Sequence, residues 1–172
     1  YKGETPLPMT PDFMRFVDKW LGVPLCLTLS VGQWLLRPFT RKIRSDQVQR
    51  ILIVQISERG AVLLGYSAQL KLKEIFPRAE LHYVIFDEMK ESISLLGSVP
   101  ESNIFTISSA SLAALFLSTL RMLVAVRRKK IDAVLDFELF SRVSAIICRL
   151  SGAPIRVGFN KFHMEGLYRG SL

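Results

Sequence analysis

From residue 50 onward, short apolar runs alternate with longer amphipathic ones. Residues 51–56 (Ile-Leu-Ile-Val-Gln-Ile) have the length and β-branched content of a strand buried on both faces. Ser57, Glu58, Arg59 and Gly60 read as a turn, and 61–76 as a helix closed by Pro77. The same reading gives a second strand over 81–86, a helix over 88–96 ending at Gly97, and a third strand over 103–107. A long helix over 111–130 follows, then a fourth strand over 131–136. A helix over 139–150 stops at Ser151-Gly152, and residues 154–158 make a fifth strand with a glycine exit. Strand–helix alternation with short connections predicts right-handed βαβ units, hence an α/β fold with a Rossmann-like parallel sheet and flanking helices. Ligands in such sheets bind outside the carboxyl ends of the strands, near the point where the strand order reverses. Residues 57–61, 86–88, 136–138 and 158–163 therefore carry the candidate chemistry.

The first 45 residues follow a different pattern. Thr10-Pro11-Asp12 is a helix start, and Phe13, Phe16, Val17, Trp20 and Leu21 share one helical face. Gly22 and Pro24 interrupt that helix, and a second apolar run ends at Arg37-Pro38. Trp20 to Leu36 carries no charge but falls short of the roughly 20 apolar residues of a spanning helix. No small-residue cleavage site marks a signal peptide. The expectation is a helix–break–helix lying in a membrane interface, with Trp20 and Trp34 at headgroup level. The alternative is a soluble helical hairpin packed on a partner domain. The chain thus divides into residues 1–45, an apolar and basic membrane-associating segment, and 46–172, the α/β domain.

Charge changes this picture only through its placement. The 172 residues carry a formal net charge of +8. Arg37, Arg41, Lys42, Arg44 and Arg50 follow the apolar segment, where an anionic lipid surface suits them. Arg127, Arg128, Lys129 and Lys130 close the long predicted helix and complement its C-terminus. Aromatic residues do not interleave with a basic strand, so a nucleic-acid partner is not expected. Cys26 and Cys148 have no CxxC or Cys/His spacing, so neither a disulfide nor a metal site is expected. The chain begins at Tyr1 and stops after a glycine-containing run at Leu172, and further sequence beyond Leu172 is expected.

The first turn offers backbone N–H groups and a positive helix end, without the glycines of a dinucleotide fingerprint or a Walker loop. Gly60 has the alternative role of satisfying backbone geometry. Asp136 and Glu138 close the fourth strand, and alternation sends both to one side if the strand continues. The competing reading is that Asp136 hydrogen-bonds a loop or caps the next helix. Arg142, Arg156, Lys161, His163 and Arg169 supply cations for a phosphate or an acidic acceptor, with a solvated face as the alternative. His163 has the intrinsic pKa of a base, whereas His82 lies within a strand.

Several stretches taken together resemble one family. They are 51–56 with Ser57-Glu58-Arg59-Gly60, then 70–73 through 76–80, 131–136, and the block Leu150-Ser151-Gly152-Ala153-Pro154-Ile155-Arg156-Val157-Gly158-Phe159. Their order and spacing resemble the N-terminal half of glycosyltransferase family nine, the ADP-heptose:lipopolysaccharide heptosyltransferases, over residues 50–172. The runs 136–142 and 163–170 look like a membrane-linked branch of it.

The resemblance implies a two-domain GT-B enzyme whose N-terminal half carries the acceptor side, with the donor half lying beyond this sequence. It implies inverting, metal-independent transfer from a nucleotide-sugar, in the family an ADP-sugar, and no further cofactor. The implied acceptor is a lipid-linked saccharide at the cytoplasmic face of the bacterial inner membrane. The family carries Gly-Asp in the first turn, with the Asp as base. Here the pair is Gly60-Ala61, and alanine takes no proton. The base is then expected at Glu138, with Glu58 second, or in the donor half, or nowhere in a non-catalytic relative. Ser57, Arg59, Gly60, Asp136, Arg142, Arg156, Lys161 and His163 are the expected substrate-binding residues.

Overall fold

The computed structural model describes residues 28, 44, 47–56, 59–138, 141–159 and 170–171, with side chains except at 59–64 and 170–171. Apart from two isolated positions, the segment read as membrane-associating lies outside the described residues, as do Ser57, Glu58, Lys161 and His163. The boundary at residues 45 and 46 lies outside them too.

The body is a parallel sheet flanked by helices. Its strands are β1 (Arg50–Val54), β2 (Glu80–Phe86), β3 (Ile104–Ile107), β4 (Ala133–Asp136), β5 (Ile155–Gly158) and β6 (Gly170–Ser171). They lie in the order β3-β2-β1-β4-β5-β6, and every described pairing is parallel. The connecting helices are α1 (Arg59–Ile75), α2 (Lys90–Leu96), α3 (Leu112–Arg128) and α4 (Arg142–Leu150). Short 3-10 turns at Asp87–Met89 and Glu101–Asn103 precede α2 and β3. This is the doubly wound arrangement expected from the alternation.

Period-two alternation in β1 feeds two separate cores. Leu52 and Val54 point to one face, where Met122, Leu123 and Val126 of α3 and Ala145, Ile147 and Cys148 of α4 cover them. Ile51 and Ile53 point to the other, toward Leu72 of α1 and Ile93 of α2. Because both faces are covered, β1 must be apolar once past Arg50 at its start, and Ile51 to Val54 are all buried. Each such side chain contributes about 1.5–3 kcal/mol relative to exposure.

The boundaries shift from expectation where side chains bond the backbone. Ser111 caps α3 by accepting the N–H of Ala114 at 3.1 Å, and Ser141 caps α4 by accepting that of Ser144 at 3.3 Å. The latter cap starts α4 at Arg142 rather than at 139. The fourth strand starts at Ala133 because Asp132 turns its carboxylate to the N–H groups of Gln49 and Arg50, at 3.1 and 3.0 Å. Arg59 and Gly60 belong to the first turn of α1 rather than to a free turn. Strand β6 was not expected, since Gly170-Ser171 has no strand-like side chains. It pairs with β5 at Val157–Gly170 and Gly158–Ser171.

Candidate functional site

The strand order reverses between β1 and β4. From β1 the chain builds outward through β2 and β3, then returns to place β4 on the opposite side. Helices α1 and α4 leave these two strands on opposite faces of the sheet. In sheets of this topology the ligand crevice lies at the carboxyl ends of these two strands. Its floor is Val54, Gln55 and Ile56 on one side and Asp136, Phe137 and Glu138 on the other. The N-termini of α1, at Arg59, and of α4, at Arg142, begin at this same edge. Both present positive backbone ends to the crevice, an arrangement suited to an anionic group.

Buried polar contacts hold the floor together. The N–H of Phe137 donates to the carbonyl of Val54 at 3.0 Å, extending the β1–β4 pairing past the strand end. Glu138 is buried, and its Oε1 accepts the N–H of Ile56 at 2.6 Å. That bond spans the crevice and fixes the carboxylate across it. The strand does not continue through Glu138. Instead Asp136 Oδ1 accepts the N–H of Glu138 at 2.9 Å, an Asx-type turn that bends the chain away.

Asp136 is fully buried, and its second oxygen accepts from the Cys148 thiol of α4 at 3.6 Å. Of the two readings of Asp136, the loop-bonding one describes this contact set. Burial first, then the Asp136 charge, holds the Cys148 thiol well above its ordinary proton affinity, so Cys148 is an inert core thiol.

On the β2 side, the Tyr83 hydroxyl donates to Gln55 Oε1. Burial, with the Glu138 charge second, pushes the Tyr83 hydroxyl far up, so it stays protonated. Gly65 of α1 sits against Gln55 and Phe137. A Cβ there would lie 2.9 Å from Gln55 Oε1 and 3.3 Å from the Phe137 ring, so a larger residue would have to displace the Gln55 amide and crowd the ring. Sequence reasoning did not single out Gln55, Tyr83 or Gly65, and named Phe137 only within the run 136–138. The available signal was a glutamine inside the otherwise apolar run 51–56.

The structure places Asp136, Glu138, Arg142 and the backbone of Arg59 and Gly60 at the same edge of the sheet, at the ends of β4, α4 and α1. It does not bring Arg156 to the rim. Arg156 pairs in register with Val134, is buried, and donates from Nη1 to the carbonyl of Ala153 at 2.6 Å. It lies near Cys148 under α4 and serves the turn into β5. Arg142 is half-buried at the first position of α4. A cation there opposes the helix dipole unless an anion accompanies it. Ala61, at the position where the resemblance implies an acidic base, is the third residue of α1.

This architecture recurs in solved glycosyltransferases. Over 72% of its length the chain superposes on a family 9 glycosyl transferase from Veillonella parvula, with a TM-score of 0.59 and 17% identity, covering 35% of that protein. It superposes equally on the E. coli heptosyltransferase WaaC with ADP-2-deoxy-2-fluoro heptose, with a TM-score of 0.60, 18% identity and 42% of that chain. For E. coli ADP-heptose lps heptosyltransferase II the values are 0.59, 18% and 34%. The chain has the heptosyltransferase fold. No family model matches the sequence, and no curated protein does. The likeness is thus carried by the sheet and its helices, over about a third to two-fifths of each enzyme.

Proposed function

We propose that the chain is the acceptor-side half of a membrane-associated inverting glycosyltransferase. It transfers a heptose-like sugar from a nucleotide-sugar, an ADP-sugar by analogy, to a lipopolysaccharide or other lipid-linked saccharide. The single observation that carries this reading is the shared fold with heptosyltransferases, one of them solved with a fluorinated ADP-heptose. In this reading the acceptor lies in the β1–β4 crevice at the cytoplasmic face of the bacterial inner membrane, held there in part by the segment 1–45. Arg142 and the two helix N-termini receive its acidic groups. Glu138 takes the proton from the attacking hydroxyl, which displaces the nucleoside diphosphate from the anomeric carbon. The donor half of the enzyme supplies most of the nucleotide contacts.

A second reading has a specific observation behind it. Ala61 offers no base, and the Glu138 carboxylate is buried and bonded to the Ile56 N–H. A non-catalytic binding module that kept the fold has these same features.

Sugar transfer by the full gene product, with membrane extract as acceptor and a panel of nucleotide-sugars, separates the two. The enzyme reading expects incorporation from at least one donor. It also expects a loss of about 100-fold or more in kcat for Glu138→Gln, the usual scale for removing a general base. The glutamine keeps an oxygen for the Ile56 N–H, so folding is preserved. Absence of transfer from every donor by folded wild-type protein leaves the binding module as the surviving reading.

A further inference from the structure

Helix α3 carries two apolar faces. One packs into the core through Met122, Leu123 and Val126. The other is exposed: Phe116, Leu120 and Val124 recur at four-residue steps, Leu117 lies beside them, and Leu112 begins the row. Phe116 is 68% exposed. A helix that is apolar all round belongs in a buried setting, and a continuous exposed stripe of this kind marks a contact surface. The stripe has a charged border. Arg121 follows Leu117 by one turn and Arg128 follows Val124 by one turn, while Lys129 and Lys130 close the helix; all four are exposed. Arg127 differs, because its Nε donates to the carbonyl of Leu150 and braces α3 against α4.

We infer that this face of α3 docks flat on an anionic lipid bilayer. An apolar stripe edged by arginine and lysine is the pattern of an interfacial helix, whose apolar side chains enter the headgroup–acyl boundary while its cations meet lipid phosphates. The charge pattern disfavours a second copy of the chain as occupant. A two-fold contact that ran the two helices parallel would set Arg121, Arg128, Lys129 and Lys130 against their own equivalents. The net charge of +8 acts in the same direction, toward an anionic surface. Among the described residues no helix, α3 included, is long and apolar enough to cross a membrane. The helix starts from the carboxyl edge of β3, so its Leu112–Phe116 end lies toward the rim that holds the β1–β4 crevice. The inference adds a docking face to the proposed membrane enzyme, but it rests on α3 alone and needs no sugar transfer to be tested.

The test uses the full chain carrying Cys26→Ser and Phe116→Cys, labelled at position 116 with an environment-sensitive nitrobenzoxadiazole dye. Cys148 is buried and stays unlabelled. Vesicles of phosphatidylcholine with roughly one-third phosphatidylglycerol are compared with phosphatidylcholine alone. The expected result is a rise in dye emission of about twofold or more on the anionic vesicles only, quenched by nitroxide-labelled lipid. In the unlabelled chain, Leu120→Glu lowers vesicle partitioning about tenfold at an unchanged melting temperature. Three results overturn the inference. One is an unchanged dye signal while the chain sediments with vesicles, which assigns docking to other residues. Another is a dye already in apolar surroundings without lipid, which assigns the stripe to another segment or a second copy. The third is equal binding to neutral vesicles, or to the Leu120→Glu chain.

Discussion

Strands β1 and β4 are tied together at both ends by a buried carboxylate, and the chemistry of the two ties is alike. At the amino end Asp132 Oδ2 accepts the N–H groups of Gln49 and Arg50, at 3.1 and 3.0 Å. At the carboxyl end Glu138 Oε1 accepts the N–H of Ile56 at 2.6 Å. Both acids come from the β4 side and reach back to β1. Only their surroundings differ. The amino end of a doubly wound sheet has no ligand crevice, whereas the carboxyl end at the switch point does. Helices α1 and α4 begin at that edge, and the Glu138 charge acts on Tyr83, whose hydroxyl donates to Gln55. Asp132 is thus an internal control for Glu138: a backbone bond by itself marks a structural staple, and a catalytic role has to appear as something more.

The largest expected effect sharpens that contrast directly. Asp132→Ala leaves two N–H groups without their acceptor, and Glu138→Ala leaves one buried N–H without its own. Each change is expected to cost about 1–3 kcal/mol of stability, read by denaturant unfolding. Their effects on the full gene product should then diverge. Asp132→Ala should leave kcat within about twofold once the fraction folded is accounted for, while Glu138→Ala should lower it by about 100-fold or more. Parallel losses of stability with equal, small effects on transfer would reduce Glu138 to a second staple and favour the non-catalytic module.

The sheet was legible because its strands are buried on both faces, which forces unbroken apolar runs such as 51–54 that few other settings require. The two staples were not legible, since each joins a side chain to a backbone N–H some 80 residues away, and no local pattern records the partner. Asp136 and Glu138 were singled out by their place at a strand end, but their different hydrogen bonds depend on the Asx-type bend that stops β4 at Asp136. Arg156 illustrates how charge misleads. Its flanking Ile155 and Val157 face one way, so period two sends Arg156 to the other, and only the fold reveals that α4 covers that side. Gly65 carried no turn signal because its task is to let α1 approach Gln55 and Phe137, a contact between separate elements.

A smaller effect concerns the amino half of the sheet, where His82 is buried on β2 against Phe105, with ring centroids 6.0 Å apart. Burial lowers its proton affinity below the ordinary 6.5; Glu80, 3.5 Å from Nε2, offsets part of this, while Lys129 and Arg50 add to it. The unfolded chain therefore binds a proton more readily than the folded one. Stability is full above the unfolded pKa of about 6.5 and falls as pH drops through it. The melting temperature should decline from pH 7 to pH 5 in the wild type and decline less in His82→Leu. The Asn103 hydrogen bond holds Glu80 below its ordinary 4.5, so Glu80 contributes its loss of stability only at lower pH. Equal slopes in both proteins between pH 7 and pH 5 would remove His82 from the account and place the acid sensitivity elsewhere, the carboxyl-end cluster included.

The smallest effect lies at the same end, where α3 meets β4. Helices α2 and α4 run out into glycines with positive φ, Gly97 at 60° and Gly152 at 83°, whereas after α3 this conformation falls on Lys130 at φ 51°. For a residue with a Cβ the left-handed region costs roughly 1–2 kcal/mol, and glycine returns about 0.5–1 kcal/mol of that through its freer unfolded chain. Lys130→Gly should therefore raise stability by about 0.5 kcal/mol, a melting shift of one to a few degrees for a domain of this size. Lys130→Ala removes the same charge but keeps the Cβ, so it should gain less than the glycine variant. Equal shifts in the two variants would assign the effect to relief of repulsion in the run Arg127-Arg128-Lys129-Lys130 rather than to backbone strain. A glycine there also removes one cation from the border of the α3 stripe. If that face meets anionic lipid, Lys130→Gly should tighten folding and loosen vesicle binding together, a trade that gives a reason for lysine where α2 and α4 use glycine.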